Sequence, residues 1–186
     1  EAAAALEKAL ALLREDPENL IHLAGLYDQL KRYKDATTVY REALTLAPSP
    51  IGYFKLATAE SASGDLAAAA ANFEKALSLQ PNWPPAANNL AWILATSPDP
   101  KLRDPKRAVT LATTACKASN YQFAGALATL AAAYASDGRF AEAVKTNKLA
   151  IDIANKADDL TRAAELKKRD ALFSAGKPFL QASPSQ

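Results

Sequence analysis

The sequence predicts an all-α fold, a stack of helix–turn–helix hairpins, and three observations predict it. Small and large apolar residues in Leu23–Pro48 fall on two helical faces: Leu23, Ala24 and Tyr27 at i, i+1 and i+4, then Ala36, Tyr40 and Ala43 at i, i+4 and i+7. The pattern returns three times, as Leu56, Ala57, Ala69, Phe73, Ala76, Pro81; as Leu90, Ala91, Leu94, Ala108, Ala112, Ala115; and as Leu130, Ala131, Tyr134, Ala143, Asn147, Ala150. Successive leucines are 33, 34 and 40 residues apart. Hydrophobic residues make up 49% of the chain and alanine dominates that fraction, so helices can approach closely, and no run of about 18–20 large apolar residues exists to span a membrane.

Residues 1–15 match the second helix of a hairpin, since Leu6-Glu7-Lys8-Ala9-Leu10 parallels Phe73-Glu74-Lys75-Ala76-Leu77. This half-repeat lacks its first helix, the chain opens at Glu1 inside a helical pattern, and further repeats are expected upstream in a longer parent protein. The unit 17–50 begins where Asp16 can cap, Pro17 suits the first turn and Glu18 favours the positive helix end. Its inner turn, Lys31-Arg32-Tyr33, lacks the usual glycine, and Pro48 and Pro50 end its second helix. The unit 51–83 turns at Ser63-Gly64-Asp65, where glycine supplies positive φ. In that unit Glu60 stands where the sister units have Tyr27, Leu94 and Tyr134, so it must reach a groove, pair with a neighbour or weaken packing.

The unit 84–120 is the odd one, because Thr96–Pro105 carries three prolines and lengthens the inner turn before Asp104-Pro105 restarts a helix. The unit 121–155 turns at Asp137-Gly138-Arg139-Phe140, and a capping helix at 157–175 follows. In that helix Leu160, Ala163, Ala164, Ala171 and Leu172 are expected to face the array, with Lys167, Lys168, Arg169 and Asp170 in solvent. Together these units make a single domain over 1–176, and 177–186 is expected to be a flexible tail.

The charge balance, 22 basic against 20 acidic residues and a net +2, argues against nucleic-acid binding. With Cys116 and His22 the only residues of their types, neither an intramolecular disulfide nor a Cys/His zinc site can form. No catalytic or phosphate-binding motif occurs, so the chain is read as no enzyme and as needing no cofactor. Asp158 and Asp159 read as helix-start residues, Cys116 as a buried structural thiol in the place of Leu44, Leu77 and Ile151, and Lys101–Arg107 as a solvated turn.

Four units with Leu-small on the first helix and alanine at two set places on the second resemble the tetratricopeptide repeat, a unit of about 34 residues. The resemblance covers roughly Pro17–Ala154 and implies a right-handed α-solenoid with a C-terminal capping helix. The run LAWILATSPDPKLRDPKRAV, followed by LAAAYASDGRFAEAV and a helix ending in Gly-Lys-Pro, is similar to the C-terminal arrays of bacterial repeat proteins. Such arrays are often appended to another module, at times a membrane-embedded glycosyltransferase.

In that family the first helix of each pair lines a concave face, which implies a non-catalytic scaffold that binds a protein or peptide there. The resemblance places Ile21, His22, Asp28, Gln29, Phe54, Lys55, Thr58, Ser61, Asn88, Asn89, Trp92, Thr96, Ala128, Thr129, Ala132 and Ser136 on this face. Phe54 and Trp92 are the expected anchors, and Lys55, Thr58, Asn88, Asn89, Gln29 and Thr129 complete the candidate site. Trp92 either contacts the partner or packs on the next repeat, and Asn89 either bonds a bound backbone or stabilises the stack. The Lys/Asn clamp with which relatives grip chaperone tails is absent, its places being taken by Ile21, Gly25, Phe54 and Thr58. Rival readings are spacer repeats serving a catalytic or membrane domain elsewhere in the parent chain, and self-assembly through the terminal helices or Phe179-Leu180. A soluble cytoplasmic or periplasmic fragment without membrane insertion is expected.

Overall fold

The computed structural model describes residues 16–182. The half-repeat expected at 1–15 and the tail end at 183–186 lie outside the described residues. Among the described residues there are nine helices and no strand, and the fold is an all-α repeat solenoid. The chain divides into two compact units, Glu1–Pro81 and Asn82–Gln186.

The first unit contains α1 (Pro17–Gln29), α2 (Tyr33–Leu46), α3 (Pro50–Ala62) and α4 (Leu66–Leu79), each packed on the next. Sequence chemistry sets the ends. Asp16 accepts from Glu18 N at 2.9 Å, Ser49 from Gly52 N at 3.1 Å and Asp65 from Ala68 N at 3.0 Å. Lys31 takes the left-handed conformation (φ +57°) that Gly64 takes in the sister turn (φ +91°), so the missing glycine is replaced by a strained lysine. Gly52 has a different reason to be glycine, because a Cβ there would meet Leu44 Cδ2 at 2.8 Å. Ala24, Ala36 and Tyr40 are fully buried and pack with Leu56 and Ala59, whereas Leu23 is 39% exposed. The recurring-face expectation fails at Leu23; Leu20 joins Ala24 as the buried residue of α1 instead.

Glu60 is 1% exposed and fully partnered. Arg41 NH2 donates to its Oε1 and Asn72 Nδ2 to its Oε2, both at 2.7 Å. Of the three outcomes open to a carboxylate at this position, pairing is the one realised.

The second unit contains α5 (Pro84–Thr96), α6 (Pro105–Ala118), α7 (Ala124–Ser136), α8 (Phe140–Lys156) and α9 (Leu160–Ser174). The long turn between α5 and α6 is tied at both ends: Asp104 N donates to Leu94 O at 3.0 Å and Arg103 to Ser97 O at 3.1 Å. Asp104 and Asp159 cap α6 and α9 through Arg107 N and Arg162 N, each at 3.0 Å. Asp158 lies one residue ahead of that cap, in the left-handed region (φ +56°), where it ends the turn out of α8.

Of the face of α9 expected to pack on the array, only Ala163 is buried. Ala163, Leu166 and Phe173 are buried, while Leu160 and Leu172 are 66% and 36% exposed. Phe173, the largest apolar side chain of the helix, packs in a layer with Ala131, Ala132, Ala135 and Ala143. Burying a phenylalanine is worth about 1.5–3 kcal/mol, more than any alanine on the rival face can supply. This rotation turns Arg169 and Asp170 inward to half-buried positions. Asn147 follows them, donating to Leu166 O at 2.9 Å and Asp170 Oδ1 at 3.2 Å.

One repeated device is visible in the turns. Arg32 lies 4.7 Å from the Tyr27 ring and pairs with Asp35; Arg139 lies 4.3 Å from the Tyr134 ring and pairs with Glu142. The same i, i+5 cation–ring contact and i, i+3 ion pair thus close two different hairpins, as a repeated unit requires.

Candidate functional site

In the first unit the candidate residues sit on α1 and α3. Gln29 is exposed near the end of α1. Phe54 is half-buried, its ring edge-on to Phe73 with centroids 5.7 Å apart; Lys55 is half-buried, and Thr58 is exposed with its hydroxyl donating to Phe54 O at 2.8 Å. His22 is exposed. Asp28 is more informative. The Tyr40 hydroxyl donates to Asp28 Oδ2 at 2.8 Å, and burial, helped by that bond, pushes the Tyr40 pKa well above its ordinary value. Asp28 Oδ1 is buried without a hydrogen-bond partner among the described residues.

In the second unit Asn88, Asn89 and Trp92 are half-buried along α5. Asn88 Nδ2 makes only a long bond to Asn89 Oδ1 at 3.4 Å, and Asn88 Oδ1 is buried and unpartnered among the described residues. Thr129 is 3% exposed and its hydroxyl donates to Gly125 O at 3.1 Å, so it offers nothing to a partner. Ala128 and Ala132, expected on the same face, are also buried. The reason is local to the unit: Ala132 lies in the layer that Phe173 and Phe179 cover.

Trp92 is covered by its own chain. After α9, Gly176 turns the backbone (φ +68°), and residues 177–182 run without helix back to α5. The Phe179 ring lies 5.7 Å from that of Trp92, and the Arg169 guanidinium lies 4.9 Å from Trp92 and 4.7 Å from Phe179. Burial lowers the Arg169 pKa, although Glu165 partly opposes this. Gln181 N donates to Thr96 O at 2.8 Å, and its amide donates to Thr96 Oγ1 at 2.7 Å. The tail expected to be free in solvent is therefore pinned at 177–182. Sequence reasoning missed Arg169 and Gln181 and gave Phe179 to self-assembly; the signal was an aromatic residue and an amide at alternate positions in the same segment.

Cys116 is buried, and burial pushes its thiol up to about 11. Among the described residues no three of His, Cys, Asp and Glu come together to hold a metal, and no helix is long and apolar enough to cross a membrane.

The family model for the tetratricopeptide repeat matches residues 17–50 and 52–82, the two hairpins of the first unit. Over those two hairpins the chain is similar to the tetratricopeptide repeat. No curated protein matches its sequence. Among solved structures, MamA is similar over 84% of this chain and 82% of its own, at 21% identity and a TM-score of 0.68. YrrB, described as a tetratricopeptide-repeat protein with an unusual peptide-binding site, is similar over 92% and 93%, at 20% identity and 0.65. PilW, described as a widely conserved type IV pilus biogenesis factor, is similar over 86% and 78%, at 20% identity and 0.62. At these identities the likeness is one of fold.

Proposed function

We propose that this chain is a tetratricopeptide-repeat protein and a non-catalytic interaction scaffold that takes protein or peptide segments on the first helices of its hairpins. The observation that carries the reading is a set of side chains left open on the first helices of the hairpins. Phe54 and Lys55 are half-buried and Thr58 is exposed on α3, and Asn88 and Asn89 are half-buried on α5, so each helix offers contact area and polar handles. Gln29 is exposed at the end of α1, and Thr129 drops out because it is buried. The described peptide site of YrrB supports the class of ligand. Near-neutral charge favours a protein partner over nucleic acid. Spacer repeats and self-assembly remain the rival outcomes of the test, and self-assembly through Phe179 has lost its anchor, since that ring packs on Trp92 of the same chain.

The test is affinity capture followed by reconstitution with the purified captured protein, comparing wild type with Phe54→Ala/Lys55→Ala and with Asn88→Ala. Loss of binding in variants of unchanged circular dichroism supports the scaffold reading. Equal binding by all three proteins refutes the assignment of this face.

A further inference from the structure

The segment 177–182 behaves in its contacts as a bound peptide. Its side chains alternate as those of an extended strand do: Phe179 points to Trp92, Leu180 is 44% exposed, and Gln181 points to Thr96. The receiving groups are built. Thr96 is fully buried, and its hydroxyl both donates to Trp92 O at 2.7 Å and accepts from the Gln181 amide, an arrangement in which its hydrogen and a lone pair are both committed. Thr96 O belongs to the last turn of α5, whose carbonyls have no helical partner, and the Gln181 backbone N–H supplies one. Arg169 closes the third side. It pairs with Glu165 only at 4.0 Å, and its guanidinium lies against the two aromatic rings. One ring, one backbone bond and one amide bond are what a peptide site uses, and they are few enough to exchange.

Resting on the scaffold reading above, we propose that the trough formed by Trp92, Arg169 and Thr96 is a binding site for extended segments carrying an aromatic residue two positions before glutamine, and that residues 177–182 are its resident intramolecular ligand, which a partner segment of the same chemistry displaces. The chain thereby holds its own site shut. A short tether keeps the resident segment at an effective concentration of about millimolar, so only a partner with additional contacts elsewhere on the scaffold competes well. Intrinsic affinity and apparent affinity then differ by the fraction of time the trough is open.

Trp92 reports the exchange directly once Trp83→Phe makes it the only tryptophan of the full chain. In that background Phe179→Ala/Gln181→Ala opens the trough, and the probe is a synthetic peptide of residues 176–182. The expected result is a red-shifted Trp92 emission in the opened protein that returns on titration with the peptide, at a concentration at least tenfold lower than any response of the closed protein. The same peptide with alanine at the Phe179 position restores nothing, and Thr96→Val in the opened protein weakens the response several-fold. The proposal fails if the opened protein keeps its circular dichroism yet shows no response up to about ten times the millimolar effective concentration. It also fails if opened and closed proteins respond alike. Should the double variant lose helicity, Gln181→Ala alone is read by the same criteria. Peptide exchange with no captured partner counts against the scaffold reading, whereas partner capture with no peptide exchange counts against the resident-ligand proposal alone.

Discussion

Removing Arg41 tests how the first unit tolerates a buried carboxylate. Glu60 is almost completely withdrawn from water, its side chain 2% exposed, while that of Arg41 is 57% exposed. At an effective dielectric of about 20, two unit charges about 4 Å apart attract by ~4 kcal/mol; in bulk water the figure is ~1 kcal/mol. The half-exposed arginine places the pair between these limits, and its fixed rotamer gives some of the gain back. Breaking a fully buried pair costs about 3–5 kcal/mol, so Arg41→Ala should cost about 2 kcal/mol here. For a protein of this size that corresponds to a fall of about 4–8 °C in melting temperature. Asn72→Ala removes the other bond and should cost about 1.5–3 kcal/mol, because the acceptor is charged. With both gone the carboxylate has no partner, so the double variant must lose more than the sum. Glu60→Leu/Asn72→Leu, which replaces the polar pair by apolar groups, should recover most of the stability. Urea unfolding followed by far-ultraviolet circular dichroism measures all four proteins. If Arg41→Ala lies within about 0.5 kcal/mol of wild type, the value typical of a surface pair, the argument that Glu60 needs its cation is wrong.

Ala69 and Ala108 are both fully buried where helices meet, so Ala69→Leu or Ala108→Leu should overpack the contact and cost about 1–3 kcal/mol, seen as an earlier thermal transition. Lys31→Gly should stabilise the first hairpin by about 0.5 kcal/mol, since relief of the left-handed strain of about 1–2 kcal/mol exceeds the added chain entropy of about 0.5–1 kcal/mol; a lower urea midpoint would contradict this. Cys116 should resist a thiol-specific disulfide reagent at neutral pH and react on unfolding, because burial holds it as the neutral thiol with a pKa of about 11. A raised folded pKa means that this contribution is full below the unfolded value of about 8.5 and is lost as pH rises toward 11, so Cys116→Ser should flatten the alkaline fall in stability over that window.

The hairpins were legible because helical periodicity is local. An alanine at i and i+7 with an aromatic residue between them declares a buried face whatever lies opposite, and Ala36, Tyr40 and Ala43 are buried as that pattern requires. Leu23 shows the limit, since it holds in the pattern the place of the buried Leu56, Leu90 and Leu130 and yet is 39% exposed. On α9 two apolar rows competed, and the choice was made by distant groups: an alanine-lined layer that fits Phe173, and Asn147, which bonds Leu166 O and Asp170. The trough lay further out of reach. Gly176 and Pro178 announce the end of a helix and say nothing of where the chain goes next, while Thr96 and Gln181 are separated by 85 positions. No periodicity links them. The link is chemical: a helix end leaves carbonyls without partners, and an extended segment has N–H groups to give. A helical-hairpin protein ends every helix in such carbonyls, so any extended tail long enough to return to one has a place to bind. Whether it does so is decided by side chains, here one ring against Trp92 and one amide against Thr96.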